Sequence, residues 1–371
     1  MTLSPLLLGP ATTVHVGDAL DVLASLPSTS VDAVVTDPPY ALKRVPASRY
    51  TRPATRRPQC VIDQCSADRV CSECLRADAV AKFSAAPMLG QQSQNWHAQE
   101  THSRGYADND PVQFQYWCAL WLQECLRLLK PGGHLVAFGG TRTWHRLATA
   151  AEDTGFEIRD SLAWLYSSGM PKSQNVERAL ATAGQNASAR NWSGWGTTLR
   201  PAFEPIVLAR RPLEGTMANN VTSWNLGPIN LAGVTEQPGD ADAIPRWPSN
   251  VHMDDSSARA LTHHTTQDPR RVFWVSKPNK HERVVVDGVA HPTVKPLDLL
   301  RRMVRLTVPK GGLVLDPFVG SGTTLEACLL EDVHAVGIER DPAYLPLIQK
   351  RVARQTRDEP PATSDDVIHL F

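Results

Sequence analysis

The stretch Val31-Asp32-Ala33-Val34-Val35-Thr36-Asp37-Pro38-Pro39-Tyr40 decides how the rest of the chain is read. Its apolar, β-branched first half predicts a short buried strand. Pro38 and Pro39 fix φ twice and hold Asp37 and Pro38 extended. The strand therefore ends in a rigid arm, at the place where open α/β sheets bind their ligands. That arm presents a carboxylate, carbonyls that no local ladder uses, and one aromatic face. These groups suit a flat ring with an exocyclic amine. Asp37 and a proline-arm carbonyl accept its two N–H groups, and Tyr40 stacks on the ring. An ordinary strand-to-loop turn uses the same residue types, so the tetrapeptide by itself leaves both readings open.

The last third of the chain bears on that choice. Leu313-Val314-Leu315-Asp316-Pro317-Phe318-Val319-Gly320-Ser321-Gly322-Thr323-Thr324 predicts a strand, a glycine loop and a helix. A second strand over 334–338 ends in Glu339. Two glycines allow the backbone to approach a nucleoside closely, and an acid at the next strand end can take both ribose hydroxyls. No Lys follows Gly322, which argues against a phosphate-cradling P-loop, and the third glycine of a dinucleotide site is missing. A nucleoside cofactor without phosphates fits best. Just upstream, His291-Pro292-Thr293-Val294-Lys295-Pro296 leads into a helix expected over 297–306, with Pro296 at its first turn.

Between these motifs the chain alternates. A strand over 14–16 precedes a helix over 19–26, with Asp18 as its cap. A helix is expected over 113–129, ended by Pro131-Gly132-Gly133, then a strand over 134–138. Gly139-Gly140-Thr141 turns into a helix to about residue 154, and strands follow over 161–166, 205–209 and 270–276. This rhythm predicts a mainly parallel sheet covered on both faces.

The motifs resemble a known family. Asp37-Pro38-Pro39-Tyr40 with Phe318-Val319-Gly320-Ser321-Gly322 resembles the amino-group DNA methyltransferases that use S-adenosylmethionine. The order, arm first and cofactor loop last, is similar to their permuted β group, and His291 to Pro296 resembles that group's third cofactor segment. Segments around 161–176, 204–216 and 246–251 also resemble bacterial and phage DNA methylases. The likeness runs from residue 14 to 354 but leaves out a cysteine-bearing insert. It implies a Rossmann-like α/β sheet with circularly permuted motif order and long loop insertions. Both motif strands should lie side by side at the centre, and an antiparallel hairpin should end the sheet. It implies catalytic roles for Asp37, Pro38, Pro39 and Tyr40. It further implies that Asp316, Phe318, Gly320, Ser321 and Gly322 line the cofactor, that Glu339 holds the ribose, that Thr293 and Lys295 flank the methionine part, and that Asp18 meets the adenine ring.

The activity so implied is site-specific methylation of adenine N6 in double-stranded DNA, by base flipping. Cytosine N4 is the alternative within the fold; in this family cytosine enzymes more often carry Ser where this chain has Asp37. RNA or protein amides are acceptors of related enzymes with a similar arm. A catalytically idle, zinc-containing DNA-binding protein is the alternative of another class, and the intact Asp37, Tyr40, Gly320 and Gly322 speak against it.

The remaining stretches divide the chain. Residues 11–40 and 111–212 form the catalytic part, 273–355 the cofactor part, and 356–371 a flexible tail. In the insertion 41–110, Lys43, Arg44, Arg49, Arg52, Arg56 and Arg57 occur without an acid up to residue 58, and phosphate contact is expected there. Cys60, Cys65, Cys71 and Cys74 then fall within fifteen residues; a closed structural zinc site is expected, against four unrelated thiols in a polar loop. Residues 213–272 are read as the target-recognition insertion. Trp192, Trp195, Trp224 and Trp247 on Asn- and Arg-bearing loops suit DNA contact, with some packing the inserts onto the sheet. His252, His263 and His264 are expected to pack or be solvated, since no ligand spacing accompanies them.

Composition agrees. Lys+Arg and Asp+Glu both count 38 of 371 residues, so any nucleic-acid surface must be local. Seven cysteines without an export signal, and no apolar run near the ~20 residues of a membrane span, point to a cytoplasmic protein. A homodimer and a restriction endonuclease partner are both left open.

Overall fold

The structure is a computed structural model and describes residues 5–40, 111–166, 169, 173–234, 249–253, 273–274, 277–278 and 281–355. In chain order the strands are β1 (Leu6–Leu7), β2 (Thr12–Val16), β3 (Val31–Thr36), β4 (Leu129–Phe138), β5 (Glu157–Leu165), β6 (Phe203–Arg210), β7 (Val251–Met253), β8 (Phe273–Trp274), β9 (Val285–Val286), β10 (Val289–Ala290), β11 (Leu313–Asp316) and β12 (His334–Glu339). The helices are α1 (Ala19–Ser25), α2 (Pro111–Leu128), α3 (Trp144–Asp153), α4 (Val176–Thr182), α5 (Asn186–Ala189), α6 (Met217–Trp224), α7 (Leu297–Thr307), α8 (Thr323–Leu330) and α9 (Leu345–Val352).

The main sheet runs β1-β2-β12-β11-β3-β4-β6-β5-β7-β8. Strands β2, β12, β11, β3 and β4 are parallel, and β4-β6-β5 form the expected antiparallel end. The arm strand β3 and the glycine-loop strand β11 are neighbours, with Val314 opposite Ala33 and Leu315 opposite Val34. From β3 the chain winds one way, through α2 to β4. From β11 it winds the other way, through α8 to β12. The crevice between β3 and β11 is thus the switch point at which such sheets bind ligands.

Period-two alternation builds a core on each face. Ala33 and Val35 pack with Leu299, Leu300, Met303 and Val304 of α7, Leu325 of α8 and Ile348 of α9. Val34 faces the other way, with Val22 and Leu23 of α1, Trp121 and Leu122 of α2, and Leu147 of α3. Asp32 is buried within β3, a polar residue that hydrophobic patterning does not explain. Its carboxylate accepts from Lys130 Nζ at 2.7 Å and from the Leu313 backbone N–H at 2.7 Å, tying β3 to both neighbours.

Three boundaries differ from expectation. Pro131-Gly132-Gly133 lies inside β4, which starts directly after α2. Gly132 has φ +78°, and a Cβ on Gly133 would sit 2.8 Å from the Asp32 carbonyl, so these glycines bend the strand onto β3 rather than delay it. Strand β5 begins four residues early, since Glu157 already pairs with Arg210. Residues 251–253, from a stretch not expected to be regular, pair parallel to β5, and residues 273–274, inside the strand expected over 270–276, pair parallel to β7 at the sheet edge. His252 there is a buried packing residue, its imidazole pushed down to about 3 by burial and then Arg302.

Candidate active site

The arm is pinned at both ends. Thr36, the last residue of β3, donates through its hydroxyl to Asp316 Oδ1 at 2.6 Å, joining the two motif strands at their tips. At the far end the Thr143 hydroxyl donates to the Tyr40 carbonyl at 2.6 Å. Between them Asp37 meets Lys295, whose Nζ lies 2.5 Å from Oδ2. Lys295 also lies 3.3 Å from Glu204 Oε2, and the Tyr40 hydroxyl donates to that same oxygen at 3.0 Å. The ammonium sits 5.1 Å from the ring centres of Tyr40 and Phe138, within cation–π range.

This cluster is a lysine shared by two carboxylates. Burial works against the Lys295 charge, but Asp37 and then Glu204 outweigh it and hold the ammonium above its usual range. Burial, then Asp37 and Glu204, push the Tyr40 phenol well up, so it stays a neutral donor. The other Asp37 oxygen, Oδ1, is buried and has no hydrogen-bond partner among the described residues. A carboxylate oxygen so enclosed is costly without a donor, which makes it the natural seat for a ligand N–H.

The second half of the site lies one strand over. Glu339 ends β12; its Oε2 accepts from the Gly320 N–H and its Oε1 from the Asp341 N–H, each at 2.8 Å. Burial nevertheless pushes its carboxyl up to about 7. Asp316 accepts from the Phe318 N–H at 3.0 Å and is raised by burial to about 6. Val16 pairs with Glu339, which brings Asp18 to the same edge; Asp18 Oδ1 caps α1 on the Leu20 N–H at 3.0 Å. Phe318 packs on α2, 5.5 Å from the Trp117 ring centre and 5.4 Å from that of Trp121.

Packing by itself calls for glycine in this loop. Gly320 has φ +55°, and a Cβ there would fall 2.9 Å from His291 Nε2. His291 in turn lies edge-on to Tyr344 and contacts the Thr293 carbonyl through Nδ1, so the segment before α7 closes onto the loop. Gly322, at φ +86°, lies against Ile348 of α9. Ser321, expected to line the cofactor, is buried: its hydroxyl faces that of Thr323, and its carbonyl accepts from Arg351 Nε at 3.0 Å. That inward turn follows from the positive φ on both sides of it.

Asp37, Tyr40, Lys295, Asp316, Phe318, Gly320, Glu339 and Asp18 therefore gather at the C-terminal ends of β2, β12, β11 and β3. Sequence reasoning did not single out Glu204, Thr36, Thr143, His291 or Trp117 as site residues. The basic side chains Lys43, Arg44, Arg49, Arg52, Arg56 and Arg57, and the cysteines Cys60, Cys65, Cys71 and Cys74, lie outside the described residues, as do Trp247, His263 and His264. Among the described residues no cluster of metal-ligating side chains occurs, and no helix is long and apolar enough to cross a membrane. Cys118, Cys125 and Cys328 are buried, and burial raises all three thiols.

Comparison with known proteins agrees with this geometry. The DNA methylase family model, covering N6 and N4 methyltransferases, matches residues 31–350. Over 243 residues the chain is 29% identical to the Type II methyltransferase M.HindIII of Haemophilus influenzae, spanning 64% of this chain and 69% of that protein. Over 234 residues it is 24% identical to the Type II methyltransferase M.HpaI of Haemophilus parainfluenzae, spanning 62% of this chain and 57% of that protein. Among solved structures, the cytosine-N4-specific PvuII DNA methyltransferase matches with a TM-score of 0.52 at 14% identity, over 98% of this chain and 92% of that one. The last likeness is one of fold.

Proposed function

This chain belongs to the DNA methylase family of N6 and N4 amino methyltransferases, and on that premise we propose that it methylates N6 of adenine at specific sites in double-stranded DNA, with S-adenosylmethionine as donor. The observation that carries the reading is Asp37: Lys295 covers one carboxylate oxygen, and the other is enclosed without a partner among the described residues, beside the Tyr40 ring. A base inside a duplex cannot reach this pocket, so it must be flipped out. Its amine lone pair is delocalised into the ring. Accepting one N–H on Asp37 Oδ1 and the other on the Pro38 carbonyl favours a pyramidal nitrogen and frees that lone pair for attack. The amine becomes acidic only as the new N–C bond forms, so Asp37 need not be a strong base beforehand. The remaining work is alignment.

The cofactor half fits the proposed donor. It offers a carboxylate with unused lone pairs for ribose hydroxyls (Glu339), an aromatic wall (Phe318 backed by Trp117) and a glycine loop with Gly320 at φ +55°; no Lys follows the glycine loop as a phosphate ligand would. Asp18 and Thr293 are exposed beside this half, while Asp316 is buried at the end of β11. When bound, S-adenosylmethionine supplies an electrophilic methyl group on a sulfonium.

Asp37 as the first arm residue supports adenine over cytosine, since cytosine enzymes of this family more often carry Ser there; the chemistry alone separates the two bases little, because both offer an amine with two donors. We also assign phosphate contact to the basic run 43–57 and a structural Zn²⁺ to Cys60, Cys65, Cys71 and Cys74, on composition and spacing. The chain should be expressed in a host that lacks DNA methylation, and its genome sequenced for modified bases. N6-methyladenine within a defined sequence is the expected result. N4-methylcytosine alone would reassign the base, and an unmodified genome would reject the reading.

A further inference from the structure

Glu204 stands near the start of β6, at the catalytic end of the sheet, and the mechanism above gives it no part. One of its oxygens, Oε2, meets two groups at once: Lys295 Nζ at 3.3 Å and the Tyr40 hydroxyl at 3.0 Å. Lys295 meanwhile lies 2.5 Å from Asp37 Oδ2, and its side chain is 8% exposed against 23% for Asp37 and 21% for Glu204. An ammonium has three donors and no fixed fork. Facing Asp37 alone, it is free to straddle both carboxylate oxygens. Facing two carboxylates, it is drawn to one side. The geometry matches the second case, since Oδ2 is covered and Oδ1 is bare.

We propose that Glu204 is a positioning residue for methyl transfer: it draws Lys295 aside so that one oxygen of Asp37 stays open to the exocyclic amine, and it fixes the Tyr40 ring through its hydroxyl. The proposal rests on the reading of this chain as a methyltransferase of exocyclic amines. The groups that face the ammonium are Asp37, Glu204, the rings of Tyr40 and Phe138, and more remotely His291. With the Glu204 charge removed, Asp37 alone sustains the ammonium, which then competes with the amine for Oδ1 and loses its proton at lower pH.

Glu204→Gln tests this, because it keeps the volume and an acceptor for Tyr40 while removing the charge. Single-turnover methylation of duplex DNA at saturating S-adenosylmethionine should slow at least tenfold. Melting temperature should hold, and cofactor and DNA dissociation constants should stay within twofold. The alkaline limb of the rate profile should move to lower pH. Tyr40→Phe, which keeps the ring and the lysine clamp, should lose less than Glu204→Gln. A Glu204→Gln rate equal to wild type would overturn the proposal. So would a slower rate matched by weaker cofactor binding or earlier melting, which would make Glu204 a packing residue. A Tyr40→Phe loss as large as that of Glu204→Gln would also overturn it, by placing the effect on the hydroxyl. Wild-type protein that leaves both adenine and cytosine unmodified fails the underlying function instead, and is distinguished by that control.

Discussion

Glu339 accepts a backbone N–H on each oxygen, yet burial outweighs both and pushes its carboxyl up to about 7. A raised carboxyl pKa means the group is protonated as pH falls below that value. Ribose hydroxyls need the ionised, accepting form, so affinity for S-adenosylmethionine should weaken as pH drops through 7. Asp316, raised to about 6, acts in the same direction. Titration calorimetry at pH 7.5 and 5.5 should show a loss on the order of tenfold, one pKa unit corresponding to ~1.4 kcal/mol. Equal affinity at the two pH values would remove Glu339 from the ribose site. Residues of this kind differ in how far the sequence betrays them. Asp37 and Tyr40 were legible because two prolines set the backbone beside them whatever the tertiary context. Gly320 and Gly322 were legible for the matching reason, a positive φ that other residues avoid. Glu204 looks like any acid near the head of a strand. Its partners stand 164 and 91 residues away at Tyr40 and Lys295, and pairing across such distances leaves no local pattern.

At the scale of elements, buried strands and helices followed from periodicity, and the misses fell where glycine acts inside a strand or an insert returns to the sheet. The run 129–133 has the residues of a helix stop, but close contact with Asp32 makes it strand. Strand β7 is three residues long and owes its conformation to pairing with β5, not to its own sequence, whereas β8 lies within the strand expected over 270–276 and pairs with β7. The excursion between β5 and β6 carries a clearer consequence. It leaves and returns beside Glu204, with the Tyr166 N–H on the Ala202 carbonyl closing its neck. The 3-10 turn Arg190–Trp192 that follows α5, and the residues just after it, present Trp192 and Trp195 as an edge-to-face pair 5.3 Å apart, 43% and 60% exposed, with Arg190 in the same turn. Exposed aromatic faces with arginines nearby suit nucleobase stacking. Trp192→Ala with Trp195→Ala should weaken duplex binding by about 1–3 kcal/mol and leave cofactor binding alone, as read by fluorescence anisotropy and calorimetry. Unchanged DNA affinity would return the pair to a packing role.

At the scale of the whole molecule, the chain order is permuted but the sheet is indifferent to it: β3 and β11 lie side by side although 276 residues separate Thr36 from Leu313. What matters is that both strand ends open into one crevice, and the Thr36 to Asp316 hydrogen bond locks them there. The insertion 41–110 leaves directly from the arm. If Cys60, Cys65, Cys71 and Cys74 supply the core that its few apolar residues do not, protein purified without chelator carries one zinc per chain by elemental analysis, and a chelator removes it without abolishing cofactor binding. Metal-free protein with full DNA affinity would contradict that assignment. In the proposed reaction the open oxygen of Asp37 receives the exocyclic amine of a base in DNA. Duplex DNA treated with purified protein and S-adenosylmethionine should be digested to nucleosides and analysed by mass spectrometry, beside the same reaction with Asp37→Ala. N6-methyladenine is expected from the wild type, and none from a variant that still binds the cofactor. Neither N6-methyladenine nor N4-methylcytosine from the wild type, or equal yields from the variant, would contradict that reaction.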